Sequence, residues 1–167
     1  VDDEQLVTRT VDRTVKQIVT WEQRREAMQA VCKNCHNTTY INNFYHQFDS
    51  LVDLYNEKFA KPAKQFMDDL KADGVLNPDA PFEHEVQWVF WELWHHEGRR
   101  ARHGASMMGP HYFHWHGMHE ISKRYYTGFL PAVIEAVESK DQELGEKYRS
   151  IIDEMMTGPE HAWQKWP

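Results

Sequence analysis

A chain of 167 residues, 41% hydrophobic and 13% aromatic, is long enough for a single domain with a real core. Its formal charge is -7 with histidine neutral, and acidic and basic residues interleave without a polybasic stripe, which makes nucleic acid and anionic membrane poor partners. No apolar run approaches the roughly 20 residues that cross a bilayer, and the opening VDDEQLVTRTVDRTV has no apolar signal core, so the expectation is a removed leader or a piece of a longer chain.

In chain order, Leu6, Val7, Val11, Val15, Ile18 and Val19 recur at three- and four-residue steps, which predicts a first helix from Asp3 to about Ala30. CKNCHNTT interrupts it. A second helix carries Phe44, Phe48, Leu51, Val52, Tyr55, Phe59, Phe66 and Leu70, with Pro62 expected to kink or split it and Gly74 to stop it. GVLNPDAPFE reads as a loop in which Asp79 caps a third helix and Pro81 lies in its first turn. That helix, from about Phe82 to His103, is apolar nearly all round and is expected to be buried on most sides. Gly109-Pro110 breaks the chain. A fourth helix follows through Ile121, Tyr125, Phe129, Val133 and Val137, with a bend at Pro131. A fifth runs from about Asp141 to Met156. The tail TGPEHAWQKWP is either a docking strap or a frayed end. With no convincing strand, the expected fold is all-α, one domain over 1–167 built as a bundle of long antiparallel helices whose cofactor sites lie between facing helices.

Eleven histidines and seven tryptophans suit a large planar or metal-bearing guest, although a guest-free core of the same composition is equally compatible. The sharpest motif is Cys32-Lys33-Asn34-Cys35-His36, the attachment pattern of c-type haem. Two thiols three positions apart can reach the two vinyl groups on one edge of a porphyrin, and the adjacent imidazole of His36 can then ligate the iron. A Cys32–Cys35 disulfide leaves His36 unexplained. A structural zinc site needs four ligands, so histidines would have to complete it, and chance recurrence of a short motif is the third alternative. Haem of this type is attached outside the cytoplasm, so if the motif carries haem the expectation is an extracytoplasmic compartment.

HGASMMGPHYFHWHG, from His103 to Gly117, holds four histidines, two methionines and three aromatic residues around one break. Just upstream, His96, Arg99, Arg100 and His103 share one face of an ideal α-helix. Imidazole beside guanidinium suits haem, the ring taking iron and Arg99 and Arg100 meeting propionates. His96, His103, His114 and His116 are therefore candidate metal ligands. They exceed what one haem can use, so some would serve haem attached elsewhere. Each is also readable as an ordinary core or surface histidine.

WHHEGRRARHGASMMGPHYFHWHG, together with CKNCH and the long helices that follow, resembles the C-terminal part of the octahaem hydroxylamine oxidoreductases, a family that includes the hydrazine dehydrogenases of anaerobic ammonium oxidisers. The resemblance covers most of the chain and is most specific between Trp94 and Gly117. It implies the C-terminal domain of a multihaem cytochrome c, assembled as a homotrimer with crosslinked subunits, in the periplasm or the anammoxosome lumen. It also implies a small nitrogen substrate and an electron-accepting cytochrome as partners. In that family a tyrosine of a neighbouring subunit bonds to the macrocycle of a catalytic P460-type haem. Tyr112 matches it best, with Tyr125 and Tyr126 as fallbacks. Cys32, Cys35 and His36 would hold the last haem of the chain. This chain has one haem motif and no catalytic-haem attachment site, so as numbered it is not the complete enzyme. Two further readings stand beside this one within haem chemistry: a monohaem electron-transfer domain without catalysis, and a nitrite-reducing relative of the same family. Outside haem chemistry stands a zinc-stabilised helical interaction module.

Overall fold

The computed structural model describes residues 7–10, 13–16 and 19–165. The chain divides into two compact units, Val1–Gln47 and Phe48–Pro167.

The first unit opens on a two-stranded antiparallel hairpin, β1 (Val7–Thr10) and β2 (Arg13–Lys16), with Val7 opposite Lys16 and Thr10 opposite Arg13. The helix expected from Asp3 therefore does not form over these segments; residues 3–6, 11–12 and 17–18 lie outside those described. The helical steps of Val7, Val11 and Val15 mislead because Thr8, Thr10 and Thr14 lie between them, and β-branched chains favour the extended backbone. Helix α1 (Trp21–Cys32) starts only where Thr20 and Gln23 close a capping box: the Gln23 amide donates to Thr20 Oγ1 at 3.3 Å and the Thr20 amide to Gln23 Oε1 at 2.9 Å.

Four further helical rods follow. Helix α2 spans residues 38–72, α3 residues 85–106, α4 residues 110–138, and α5 is Gln142–Thr157. Three of them contain wide π turns: Asn56–Ala60 in α2, Leu93–Gly98 in α3, and both His114–His119 and Tyr125–Phe129 in α4. Neither proline splits its helix. Pro62 and Pro131 each stand two residues after a π turn, where the next amides reach back five residues, Lys61 N–H to Asn56 O and Leu130 N–H to Tyr125 O. Widening the turn there accommodates a residue that lacks an N–H and crowds the preceding turn.

Helix α2 ends as expected at Gly74, whose φ of 68° only glycine adopts cheaply. The Val75 amide donates to Leu70 O at 2.8 Å, and both side chains are buried, which closes the hydrophobic contact of a Schellman cap. Helix α3 starts three residues later than expected. Its cap is His84, whose amide donates to Gln87 Oε1 at 2.9 Å. Asp79 instead belongs to a turn in which its amide donates to Asn77 Oδ1, and Pro81 precedes a left-handed Phe82. Asp79 and Pro81 are thus loop residues, because a chain leaving Phe82 at positive φ is not yet helical. At the start of α5, Asp141 caps through Leu144 N at 2.9 Å.

The second unit holds the core. Tyr55, Phe59, Phe66 and Leu70 of α2 meet Val86, Val89 and Leu93 of α3, Ile121, Tyr125, Phe129 and Val133 of α4, and Tyr148 of α5. Phe59 packs edge-on against Tyr125 at 5.5 Å and Phe66 against Phe129 at 6.2 Å. Helix α3 is not buried on most sides, as its composition suggested. Trp88 and Trp94 are half exposed, because the core takes only the stripe through Val86, Val89, Leu93 and Ala101. The tail Pro159–Lys165 is a 3-10 turn that docks through His161, which is buried and meets the Tyr126 hydroxyl at 2.8 Å, and through a Glu160–Lys58 ion pair.

Candidate functional site

In the first unit, Cys32 is the last residue of α1, and the chain turns directly after it. The Cys35 and His36 amides both donate to Cys32 O, at 3.1 and 2.9 Å, which folds the motif into one tight turn. The chain then re-enters helix at Thr38, where Asn37 accepts from the Tyr40 amide at 2.9 Å. Both thiols are free; Cys32 is half buried, Cys35 and His36 are exposed, and the His36 ring stacks on Tyr40 at 4.5 Å. No residue of α1 is buried, and Met28 and Val31, on the same helix as Cys32, are 56% and 64% exposed. An apolar ridge thus leads up to two reachable thiols and an imidazole. Two thiols and an imidazole in one turn could tether and ligate a flat apolar guest.

In the second unit, the histidine-rich stretch is mostly helical. The break expected at Gly109-Pro110 lies between Ser106 and Pro110, with Met108 left-handed at φ 52°. Tyr112, His114 and His116 therefore project from the first turns of α4. Two close contacts set the geometry of α3 against α4. A Cβ on Gly104 would meet the Phe113 backbone at 2.8 Å, and one on Gly117 would meet Ala101 Cα at 2.7 Å. Glycine at both places lets the two helices approach backbone to backbone.

His96, His103, His111, His114, His116 and His119 are all exposed around this turn. Tyr112 is 46% exposed, with its ring 5.4 Å from that of His116. Met107, Met108 and Trp115 are exposed as well. His95 is held between Trp91 and Trp94, with ring centroids at 4.7 and 4.2 Å, and Arg99 Nη2 meets its Nδ1 at 3.2 Å. The shared face expected for His96, Arg99, Arg100 and His103 assumed α spacing throughout. A π turn holds His96, so the register changes there. His96 and Arg100 border one hollow with Glu120, Lys123 and Arg124, whereas Arg99 meets His95.

Two carboxylates escaped the sequence reading. Glu120 accepts from Arg100 Nη1 at 2.8 Å through Oε2 and meets His116 Nδ1 at 3.2 Å through Oε1. Partial burial acts to raise its carboxyl, but the bonds from His116 and Arg100 together hold it below the ordinary glutamate value. Its position four residues after His116 was legible as a helical pair; its bond to Arg100, 20 positions away, was not. Glu97 is 3% exposed, accepts from Arg124 Nε at 2.9 Å through Oε1, and leaves Oε2 without a hydrogen bond.

Among the described residues, no group of three or more His, Cys, Asp or Glu gathers to hold a metal ion, so a four-ligand zinc site is not assembled from them. Nor is any helix among them long and apolar enough to cross a membrane. No family model, curated protein or solved structure matches the chain.

Proposed function

We propose that this chain is a haem-bearing helical part of a multihaem oxidoreductase that oxidises a small nitrogen compound, hydroxylamine or hydrazine. In this reading Cys32 and Cys35 carry one c-type haem and His36 is its proximal ligand. The observation that carries the proposal is the CKNCH turn itself: two free thiols and an imidazole closed into one turn beside an exposed apolar ridge. When bound, the haem supplies one-electron chemistry, tuned by its axial ligand and its surroundings.

The chain's own residues divide the remaining work. Cys32 and Cys35 would tether the haem, and His36 would ligate its iron. His96, His103, His114 and His116 are each exposed, and at least two of them would serve as ligands to haem iron, part of it attached outside this chain. Arg99 and Arg100 would meet propionates, although Arg100 already binds Glu120 and would have to share. Tyr112 would be the residue bonded to a P460-type haem of a neighbouring subunit. A homotrimer, an electron-accepting cytochrome and an extracytoplasmic location belong to the same reading, which rests on the sequence resemblance.

The decisive test is expression in a host that matures c-type cytochromes. The expected result is a pyridine haemochrome spectrum, and an intact mass that retains haem after acid-acetone extraction. Replacing Cys32 and Cys35 together by alanine should abolish that retention. Full covalent haem in the double variant, or none in the parent protein, would end this reading.

A further inference from the structure

We infer that Glu120 is a positioning residue for His116, fixing the proton on Nδ1 so that Nε2 stands free as the donor to a metal centre. The inference deepens the proposed function and rests on it, because it supposes that this surface offers imidazole to haem iron.

The argument begins with donors and acceptors. An ionised carboxylate can only accept, and a neutral imidazole has one N–H and one lone pair. A 3.2 Å contact between His116 Nδ1 and Glu120 Oε1 is therefore a hydrogen bond only in the tautomer that carries its proton on Nδ1. The lone pair then lies on Nε2. The His116 side chain is 50% exposed, so the ring is accessible from outside.

The carboxylate is itself anchored. Arg100 reaches across from α3 and donates to the second oxygen, Oε2, at 2.8 Å. Glu120 and His116 are four residues apart on α4, while Arg100 belongs to the neighbouring helix, so the ring is referenced to both. The glycine contacts that bring α3 onto α4 make this span possible. Among the described histidines of the bend, His116 is the one whose ring nitrogen meets a carboxylate.

A surface pair of this kind contributes little to stability, about 0–1 kcal/mol. What the arrangement does alter is tautomer, ring orientation and donor strength. Carboxylates that accept from the far nitrogen of a ligating histidine control these same properties.

The test uses the full chain labelled with 15N-histidine and held near pH 8, above the ordinary histidine value of about 6.5. Long-range 1H–15N spectra should report the Nδ1–H tautomer at His116. In Glu120→Gln, Arg100 claims the single amide oxygen, the amide N–H₂ faces Nδ1, and the tautomer should invert to Nε2–H. Arg100→Ala, which leaves the carboxylate in place but unanchored, should give a mixture. A wild-type His116 already in the Nε2–H form would overturn the inference. In the haem-loaded protein, Glu120→Gln should shift the reduction potential of the His116-ligated haem upward, since the ring becomes a poorer donor. An unchanged potential and unchanged spectra would also overturn it. Failure of the functional reading shows separately, as absence of covalent haem in the pyridine haemochrome assay, and it would remove the role at iron whatever the tautomer.

Discussion

At the scale of single residues, the three tyrosines considered for a haem crosslink differ in what their hydroxyls meet. Tyr125 is 1% exposed, donates to Met155 Sδ at 3.5 Å, and is pushed above the ordinary tyrosine value by burial and then by Tyr126. Tyr126 is half buried, with its hydroxyl 2.8 Å from His161 Nε2. Tyr112 is 46% exposed on the first turn of α4. A phenol that must reach another subunit has to be accessible without unpacking the core, which favours Tyr112 over both fallbacks. Tyr112→Phe should then change stability by no more than about 0.5 kcal/mol, as exposed substitutions do. It should also abolish any haem–tyrosine adduct found by peptide mass mapping, together with substrate oxidation and the reduced band of the modified haem. An adduct that persists in Tyr112→Phe would move the role to Tyr125 or Tyr126.

At the scale of elements, periodicity exposed the rods and concealed their irregularities. Phe59, Phe66 and Leu70 in α2, and Tyr125, Phe129 and Val133 in α4, fall at helical steps and are buried. A π turn changes register without changing composition, so the face drawn through His96, Arg99, Arg100 and His103 on α spacing keeps His96 and Arg100 at one hollow while Arg99 meets His95. The available signals were Pro62 and Pro131, each of which needs relief two residues earlier. The hairpin of Val7–Thr10 and Arg13–Lys16 was illegible for the opposite reason: valines at a helical step outweighed the threonines between them. The CKNCH turn was legible because its chemistry is local, whereas the Arg100–Glu120–His116 arrangement depends on two helices meeting. That meeting can be tested. Gly117→Ala places a Cβ 2.7 Å from Ala101 Cα, a backbone atom that cannot step aside. The expected cost is about 1–3 kcal/mol by denaturant unfolding, despite alanine's better helix propensity. If Gly117→Ala proved neutral or stabilising, α3 and α4 would not be in close contact there.

At the scale of the whole molecule, the two units differ in what holds them. In the first, α1 buries none of its side chains; it is held by the Thr20–Gln23 cap, the turn after Cys32 and Arg25 lying 4.8 Å over the Tyr45 ring. The second has an aromatic core and, among its polar links, a clamp at the end of α2. Asp73, at the C-terminal end of α2, accepts through Oδ2 from Lys147 Nζ at 2.9 Å and from the Tyr148 hydroxyl at 3.0 Å. Lys140 donates to its backbone oxygen at 2.9 Å. Helix α2 is thereby tied to α5 and to the loop before it. The bonds from Lys147 and Tyr148 hold the Asp73 carboxyl below its ordinary range, outweighing the opposing effect of desolvation. A carboxyl depressed by folding adds stability that is fully present above the unfolded value, about 3.9, and is lost as pH falls through the lower folded value. Tyr125 and Tyr148 work in the other direction. Burial holds both above the ordinary tyrosine value, so their contribution is full below about pH 10 and is lost as pH rises beyond it. Thermal unfolding of Asp73→Asn against wild type should therefore show a lower Tm for the variant across the neutral range. The gap should narrow steadily below about pH 4, because protonation removes from the wild type the charge that the substitution has already removed. The alkaline limb should persist in both proteins but be shallower in the variant, because Asp73 adds to the burial that raises Tyr148. A gap that stayed constant down to pH 2 would show that the Asp73 carboxylate charge does not help to join α2 to α5.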